Sequence, residues 1–412
     1  MDNLNQTPHS GRLQIALFGR RNAGKSSLIN ALTNQTVALV SELPGTTTDP
    51  VVKAMELLPL GPVAITDTAG LDDSGTLGEL RKSRTYQILD RTDLAILVLD
   101  GTVGMTEFEV ELMAAIRSKK IPVVGVINKK DSAVYSTAQR QQWEQSLQLE
   151  LIEASSRTGV GISALKTALI RNAPLGDREP FLTGDLLRPG DIAVLVVPID
   201  KAAPKGRLIL PQQQVIRDIL EHDAMAIVTK EHELKETLAA LGKKPALVIT
   251  DSQVFLKVAA DVPADIPLTS FSILMARSKG DLGELVKGAL AVEQLKPGDH
   301  VLIAEGCTHH RQSDDIGTVK IPRWLRQIVG GELQFEWASG ISLPDHLERF
   351  QLIVHCGACM LTGREMLHRL TVAREQGVPI VNYGVFIAYV QGILPRVLAP
   401  FPEGKLLLQA EY

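Results

Sequence analysis

The segment Gly19-Arg20-Arg21-Asn22-Ala23-Gly24-Lys25-Ser26 decides the fold of the first part of this chain. It matches the phosphate-loop pattern G-x-x-x-x-G-K-S and lies between a predicted strand, Leu13–Phe18, and a predicted helix, Ser26–Leu32. Glycines let main-chain N–H groups turn towards phosphate oxygens, and the start of the helix adds positive potential. The predicted phosphate-binding residues are therefore Gly19, Asn22, Ala23, Gly24, Lys25, Ser26 and Ser27.

Two later segments supply the expected partners of the phosphates and of Mg²⁺. Asp67 and Gly70 follow the predicted strand Val63–Thr66, and they are predicted to hold Mg²⁺ through water and to contact the γ-phosphate. Thr47 or Thr48 lies where the first switch loop belongs and is predicted to reach both the metal ion and the γ-phosphate. The predicted catalytic residues are Lys25, Thr47, Thr48, Asp67 and Gly70, and the predicted Mg²⁺ residues are Ser26, Thr47 and Asp67.

The motif Asn128-Lys129-Lys130-Asp131 predicts GTP rather than ATP. The carboxylate of Asp131 can accept the N1 and N2 hydrogens of guanine, and adenine offers no such donor pair. Asn128 is predicted to tie this loop to the phosphate loop, and Lys129 belongs to the same base site. Ser155 and Ser156 follow the predicted strand Leu149–Ala154 and are predicted to contact guanine O6 through main-chain N–H groups.

The order and spelling of these motifs resemble the translation-factor-related GTPases, especially their tRNA-modification and Era-like branch. That resemblance implies that Asn22 helps to bind K⁺, which takes the part of an arginine finger. Leu71 stands after Gly70, where Ras-like enzymes have a glutamine that orients the attacking water. We therefore expect slow intrinsic hydrolysis that depends on a cation, another residue or a partner.

Composition is that of a soluble globular protein: 45% of the 412 residues are hydrophobic, 22% are charged, and the net charge is −4. This charge does not favour nucleic-acid binding, which usually shows a basic footprint. The polar N-terminus and the lack of an 18-residue apolar stretch predict a cytoplasmic protein without a membrane span.

Strands alternate with helices along the whole chain, which predicts an α/β protein with largely parallel, helix-flanked sheets in three domains. The predicted division is a flexible N-terminus at 1–10, a nucleotide-binding domain at 11–172, a linker at 173–189, and two further α/β blocks at 190–267 and 268–412. Predicted strands of those two blocks are Ile192–Pro198, Ala224–Thr229, Ala246–Thr250, His300–Ala304, Leu352–Val354 and Pro379–Asn382.

All three cysteines of the chain follow predicted strands of the third block, at the edge where ligands of open α/β sheets bind. Cys307 follows the first of these strands, and Cys356 and Cys359 follow the next with C-x-x-C spacing. Three thiolates with His309 or His355 suit structural zinc, and they equally suit an iron–sulfur cluster with a non-cysteine fourth ligand. A redox pair and buried core cysteines are the remaining interpretations.

The combined pattern resembles HydF, the family of GTPases that mature FeFe-hydrogenase. The resemblance rests on the phosphate loop, on Cys307-x-His309, on His355-Cys356-x-x-Cys359 and on the run Asp314–Leu325. It implies a GTPase domain, a dimerisation domain (190–267) and a cluster-binding domain (268–412). It further implies that Cys307, Cys356 and Cys359 hold a 4Fe-4S cluster, with His309 or His355 as a possible fourth ligand.

By the same resemblance, the protein is a homodimeric scaffold that carries a di-iron precursor. Two radical-SAM maturases build the precursor, and apo FeFe-hydrogenase receives it. The alternative is an RNA-linked GTPase of tRNA modification or ribosome assembly, with zinc in its C-terminal domain.

Overall fold

A computed structural model describes residues 11–33, 41–42, 51–58, 60–68, 85–174, 182–198, 208–306, 315–340 and 343–404. The chain forms two compact units, Met1–Asp177 and Arg178–Tyr412. The predictions for residues 1–10 and for Thr47, Thr48, Gly70, Leu71, Cys307 and His309 lie outside the described residues.

The first unit contains a seven-stranded sheet in the order β2-β3-β4-β1-β5-β6-β7. Its strands are β1 Leu13–Phe18, β2 Ser41–Glu42, β3 Val51–Leu57, β4 Gly61–Asp67, β5 Leu94–Asp100, β6 Val123–Asn128 and β7 Leu151–Glu153. Strand β3 pairs antiparallel with β2 and with β4, and the other pairings are parallel. Neither β2 nor β3 was predicted, because hairpin strands at a sheet edge lack the continuous apolar run of a buried parallel strand.

Helices cover both faces of this sheet, as α1 Lys25–Thr33, α2 Glu107–Ser118, α3 Thr137–Leu147 and α4 Ile162–Asn172. Successive side chains of β1 point to opposite faces, so Leu17 joins one core with Leu28 of α1, and Phe18 joins another with Leu112 of α2. The two-sided burial fixes the strand ends, where the nucleotide-binding segments begin.

The second unit contains two parallel four-stranded sheets, in the orders β11-β10-β8-β9 and β13-β12-β14-β15. Their strands are β8 Ile192–Val196, β9 Met225–Thr229, β10 Leu247–Thr250, β11 Leu268–Ser270, β12 His300–Glu305, β13 Gln334–Ser339, β14 Leu352–His355 and β15 Ile380–Asn382. The helices are α5 Leu210–Glu221, α6 Leu234–Ala240, α7 Phe255–Asp261, α8 Phe271–Lys279, α9 Leu282–Leu290, α10 Ile321–Val329, α11 Gly363–Glu375, α12 Tyr383–Val390 and α13 Leu394–Leu398.

One hydrophobic core runs through both sheets of this unit. Strand β11, at the start of the block predicted as 268–412, pairs in register with β10 and so belongs to the second sheet. Part of the segment predicted as a linker, 173–189, also packs into the unit, because Leu187 is buried and Thr183 Oγ1 donates to Asp218 Oδ2 at 2.6 Å. In the described part of the chain, no helix is long and apolar enough to cross a membrane.

Candidate functional site

The phosphate loop connects β1 to α1 and encloses the side chain of Lys25. The Lys25 ammonium donates to the main-chain oxygens of Gly19 and Arg20, both at 2.7 Å. Gly24 has φ +84°, and a Cβ atom there would lie 2.3 Å from Asn128 Nδ2, so glycine is required by both backbone and space. The ammonium is thereby held at the centre of the loop, where phosphates would bind.

Two predicted Mg²⁺ residues meet beside this loop. The Ser26 hydroxyl at the start of α1 donates to Asp67 Oδ2 at the end of β4. Next to Asp67, Thr68 Oγ1 donates to the main-chain oxygen of Leu17 at 2.5 Å and fixes β4 against β1. The cleft over these groups has a volume of about 380 Å³ and is lined by Arg21, Asn22, Gly24, Lys25, Ser26, Ser27, Asp67, Thr68 and Lys129.

Asn128 joins three segments of the site from the end of β6. Its side chain is fully buried, and Nδ2 donates to Ala23 O at 3.0 Å while Oδ1 accepts the N–H of Ser156 at 3.1 Å. The predicted tie between the base loop and the phosphate loop is present in this geometry. The N–H of Ser155, also predicted to contact guanine, donates to Val160 O at 2.9 Å instead.

The carboxylate predicted to read guanine is oriented by its neighbours. Ser155 Oγ donates to Asp131 Oδ1 at 2.5 Å, and the Arg157 guanidinium lies 2.5 Å from Oδ2. Hydrogen bonds from Ser155 and Ser132 hold the pKa of Asp131 below its ordinary value, so the group is a charged acceptor at neutral pH. The sequence suggested a role for the Ser155 N–H, and the structure adds one for its hydroxyl.

Two ion pairs that the sequence analysis missed support the loops. Lys129 Nζ lies 2.6 Å from Asp100 Oδ2. Burial opposes the ionisation of Asp100, but hydrogen bonds from Lys129 and Thr102 outweigh it and lower its pKa. Arg20 of the phosphate loop lies 2.7 Å from the buried carboxylate of Glu109 on α2. Long-range pairs of this kind carry no spacing signal in the sequence.

The C-x-x-C pair lies in the turn between β14 and α11. Cys356 Sγ accepts the N–H of Gly306, which follows β12, at 3.1 Å. Burial raises the pKa of the Cys356 thiol, although N–H groups of Gly306 and Ala358 oppose this effect. Among the described residues, no three His, Cys, Asp or Glu side chains form a group that could hold a metal ion, and Cys307 lies outside them.

His355 is fully buried, and both of its ring nitrogens are hydrogen-bonded. Nδ1 lies 2.7 Å from the main-chain oxygen of Cys356, and Nε2 lies 2.6 Å from Nη1 of Arg369. A carbonyl only accepts and a guanidinium only donates, so the ring is neutral with its proton on Nδ1. Burial and the Arg369 charge lower the pKa of His355 to about 4.

A second buried cation, besides Arg369, contacts the cysteine turn. Lys279, the last residue of α8, donates through Nζ to the main-chain oxygens of Ala358, Cys359 and Leu361 at 3.2, 3.0 and 2.9 Å. Burial lowers the pKa of Lys279 to about 8, although the thiols and Glu365 oppose this effect. Nothing in the local sequence around Lys279 predicts this contact.

Family models match three stretches of the chain. The hydrogen maturase F dimerization domain matches residues 182–280, and the hydrogen maturase F tetramerization domain matches residues 283–400. A model described as a 50S ribosome-binding GTPase matches residues 14–129.

Individual relatives match about 40% of the chain. GTPase Der of Bartonella tribocorum is 36% identical over 160 residues, which are 38% of this chain and 33% of that protein. The tRNA modification GTPase MnmE of Nitrosomonas eutropha is 33% identical over 160 residues, 39% of this chain and 34% of that protein. The G domain of the T. maritima FeoB iron transporter is 26% identical, with a TM-score of 0.31, over 39% of this chain and 99% of that one.

The chain thus spans about a third of the length of the curated relatives it matches. The two hydrogen maturase F models, in contrast, lie side by side over more than half of the chain, after a GTPase domain. The chain therefore belongs to the hydrogen maturase F (HydF) family.

Proposed function

We propose that this protein is a GTP-hydrolysing scaffold and carrier that binds a 4Fe-4S cluster and a di-iron precursor and delivers the di-iron unit to apo FeFe-hydrogenase. One observation carries the proposal. A guanine-nucleotide site and a half-buried C-x-x-C turn belong to one chain, and that turn, Cys356–Cys359, lies inside the hydrogen maturase F tetramerization model.

GTP hydrolysis is supported by the residues that meet around the cleft. The Lys25 ammonium is placed to neutralise charge that develops on the transferred phosphoryl group. The contact between Ser26 and Asp67 provides two oxygen donors for Mg²⁺. We propose Thr47 and Gly70 as further Mg²⁺ and γ-phosphate contacts and K⁺ beside Asn22, which lines the same cleft.

The donor set around the C-x-x-C turn fits an iron–sulfur cluster. One turn carries two thiols, and a main-chain N–H donates to Cys356 Sγ. The start of α11 adds positive potential next to this turn. We propose that Cys307 supplies the third thiolate and that His309 or an exchangeable ligand completes the set. Such a cluster, when bound, supplies an anchoring point with one labile position for the di-iron cargo.

His355 suits a positioning role better than a ligand role. Its Nε2 receives a hydrogen bond from Arg369, so ligation through that atom would leave a buried guanidinium without this acceptor. Its Nδ1–H holds the carbonyl of Cys356 and thereby the start of the turn. Because the family models are named for dimerization and tetramerization, we propose a homodimer that can assemble further.

In this proposal, two radical-SAM maturases supply the di-iron precursor and apo FeFe-hydrogenase receives it, in the cytoplasm. The RNA-linked alternative is less well supported. Similarity to GTPase Der and to the tRNA modification GTPase covers only about 160 residues, whereas both hydrogen maturase F models lie in the remainder of the chain.

The decisive experiment is anaerobic reconstitution of the full chain with iron and sulfide, followed by EPR of the reduced protein. Cys307→Ala, Cys356→Ala and Cys359→Ala are compared with the wild type. We expect a 4Fe-4S signal that each substitution abolishes. Tightly bound zinc without a cluster, together with RNA-stimulated GTP hydrolysis, would support the RNA-linked function instead.

A further inference from the structure

Lys279 is a buried cation that contacts the turn between the two cysteines and α11. It is the last residue of α8, and its side chain enters the turn between β14 and α11 with only 9% of the residue exposed. An ammonium is costly to remove from water unless its donors and its charge are both satisfied. The three N–H donors have three carbonyl acceptors within 3.2 Å, so the hydrogen bonds are satisfied.

The turn that Lys279 enters is itself strained. Ala358, between the two cysteines, has φ +53°, a left-handed conformation that a residue with a Cβ adopts only under constraint. Its side chain is buried, and its carbonyl also accepts the N–H of Leu361 at 3.1 Å. The carbonyls of Ala358, Cys359 and Leu361 point to one side of this turn, and their convergence on Nζ holds it in shape.

In the part of the chain that the structure describes, the charge of Lys279 is not balanced by an adjacent carboxylate, as that of a buried lysine usually is. Within the described ranges, no carboxylate lies within 4.0 Å of its ammonium. The negative charges that favour its charged form are those of Cys359, Glu365 and Cys356 when these groups are ionised. Arg369, also buried, contacts His355, the residue before Cys356. Two buried cations, Lys279 and Arg369, therefore lie close to the C-x-x-C segment.

We propose that Lys279 is the positioning residue of the C-x-x-C turn, which it holds through three main-chain carbonyls while keeping a fixed positive charge beside the thiolate pair. This inference rests on the proposed cluster-binding function. A neutral side chain could fill the same space, but only a cation both gathers the carbonyls and opposes the negative charge of thiolates and their metal group. A cation near an iron–sulfur group stabilises its reduced, more negative state.

The test compares the full chain with Lys279→Met, which keeps the length and removes the charge, and with Lys279→Arg, which keeps the charge. Lys287→Met is the matched control, because Lys287 on α9 is exposed and contacts Glu284 on the same helix. Three quantities are measured: amide hydrogen exchange of residues 357–362 in cluster-free protein, iron retention against a chelator, and the reduction potential of the reconstituted cluster.

We expect Lys279→Met to accelerate exchange in the turn, to weaken iron retention by about tenfold, and to shift the potential to more negative values. Lys279→Arg should restore the potential towards that of the wild type, and Lys287→Met should change none of the three quantities. Unchanged exchange in Lys279→Met would overturn the positioning role. Faster exchange with an unchanged potential would overturn the charge role.

The two proposals fail in different ways. If the wild-type chain takes up no cluster, the proposed function fails, and the exchange measurement still decides whether Lys279 holds the turn. If the wild type takes up a cluster that Lys279→Met binds equally well with the same potential, the inference about Lys279 fails and the proposed function stands.

Discussion

Asn128 Nδ2 lies 3.0 Å from the main-chain oxygen of Ala23, 105 residues earlier in the chain. Its Oδ1 accepts the N–H of Ser156 at 3.1 Å, so one buried amide connects the phosphate loop, the base loop and the segment after β7. Nucleotide affinity should therefore depend on this side chain, although it need not touch the nucleotide.

Asn128→Ala should lower the affinity for GDP by about tenfold to a hundredfold, because the hydrogen bonds of this side chain to Ala23 and Ser156 are lost and their partners are left unsatisfied. Titration with a fluorescent GDP analogue measures this change. The matched control is Asn172→Ala, in which the lost amide donates only to Ala168 of its own helix. Equal affinities for the two variants would contradict the connecting role.

Asp131→Asn should lower GTP affinity by about a hundredfold or more and favour xanthosine triphosphate, since a charged acceptor facing two guanine donors is lost. Competition between the two nucleotides measures the ratio. Asp265→Asn, a change of an exposed carboxylate in the second unit, serves as the control. Unchanged GTP affinity of Asp131→Asn would mean that guanine is read elsewhere.

Protonation of Asp100 should lower the stability of the first unit in acid. Its pKa lies below the ordinary value because hydrogen bonds from Lys129 and Thr102 outweigh burial, so its stabilising effect is present above about pH 4 and is lost as the pH falls through the folded-state pKa. Asp100→Asn should cost about 1–3 kcal/mol at pH 7 and lose less stability than the wild type on acidification.

Urea unfolding followed by tryptophan fluorescence at several pH values measures this difference. Asp90→Asn is the control, because the Asp90 carboxylate and its partner Lys119 are only partly buried, and the loss should be about 1 kcal/mol or less. Parallel pH profiles of Asp100→Asn and the wild type would refute the assignment.

GTP hydrolysis should be several-fold faster in K⁺ than in Na⁺ at equal ionic strength. Asn22 stands in the phosphate loop with φ +62° and lines the cleft, and the resemblance of the motif to the tRNA-modification branch implies K⁺ there. Asn22→Ala should abolish the difference in phosphate release between the two salts. Equal rates for the wild type in both salts would exclude this role of K⁺.

His355→Gln should still bind a cluster with the spectrum of the wild type, because the glutamine carbonyl can accept a hydrogen bond from Arg369 in place of the imidazole. The yield of cluster should be lower than in the wild type, whereas substitution of a cysteine ligand should abolish the cluster. Pulsed EPR of the wild type and of His355→Gln, both with ¹⁵N-labelled histidine, measures the coupling of histidine nitrogen to the cluster. We expect no strong nitrogen coupling in the wild type that is lost in the variant. Loss of such a coupling would make His355 the fourth ligand and contradict the hydrogen bonds seen in the structure.

Buried parallel strands were predicted within one or two residues at most ends, as β5 and β8 illustrate, because a strand covered on both faces reads as a continuous apolar run. Strand β13 was missed because it lies at a sheet edge, none of its residues is buried, and polar residues interrupt its apolar ones. The pairing of β11 with β10 is likewise not recorded in the local sequence, because it joins strands from two of the predicted blocks.

The sequence alone determined the chemistry of the nucleotide site and the presence of a cysteine turn after a strand, because both depend on residue types at fixed spacings along the chain. The tertiary structure decided which distant groups support them: Asp100 beside Lys129, Arg369 on His355, and Lys279 under the turn. These contacts join residues that are 14 to 82 positions apart. Side chains meet at such separations only through sheet order and helix packing, which no local spacing records.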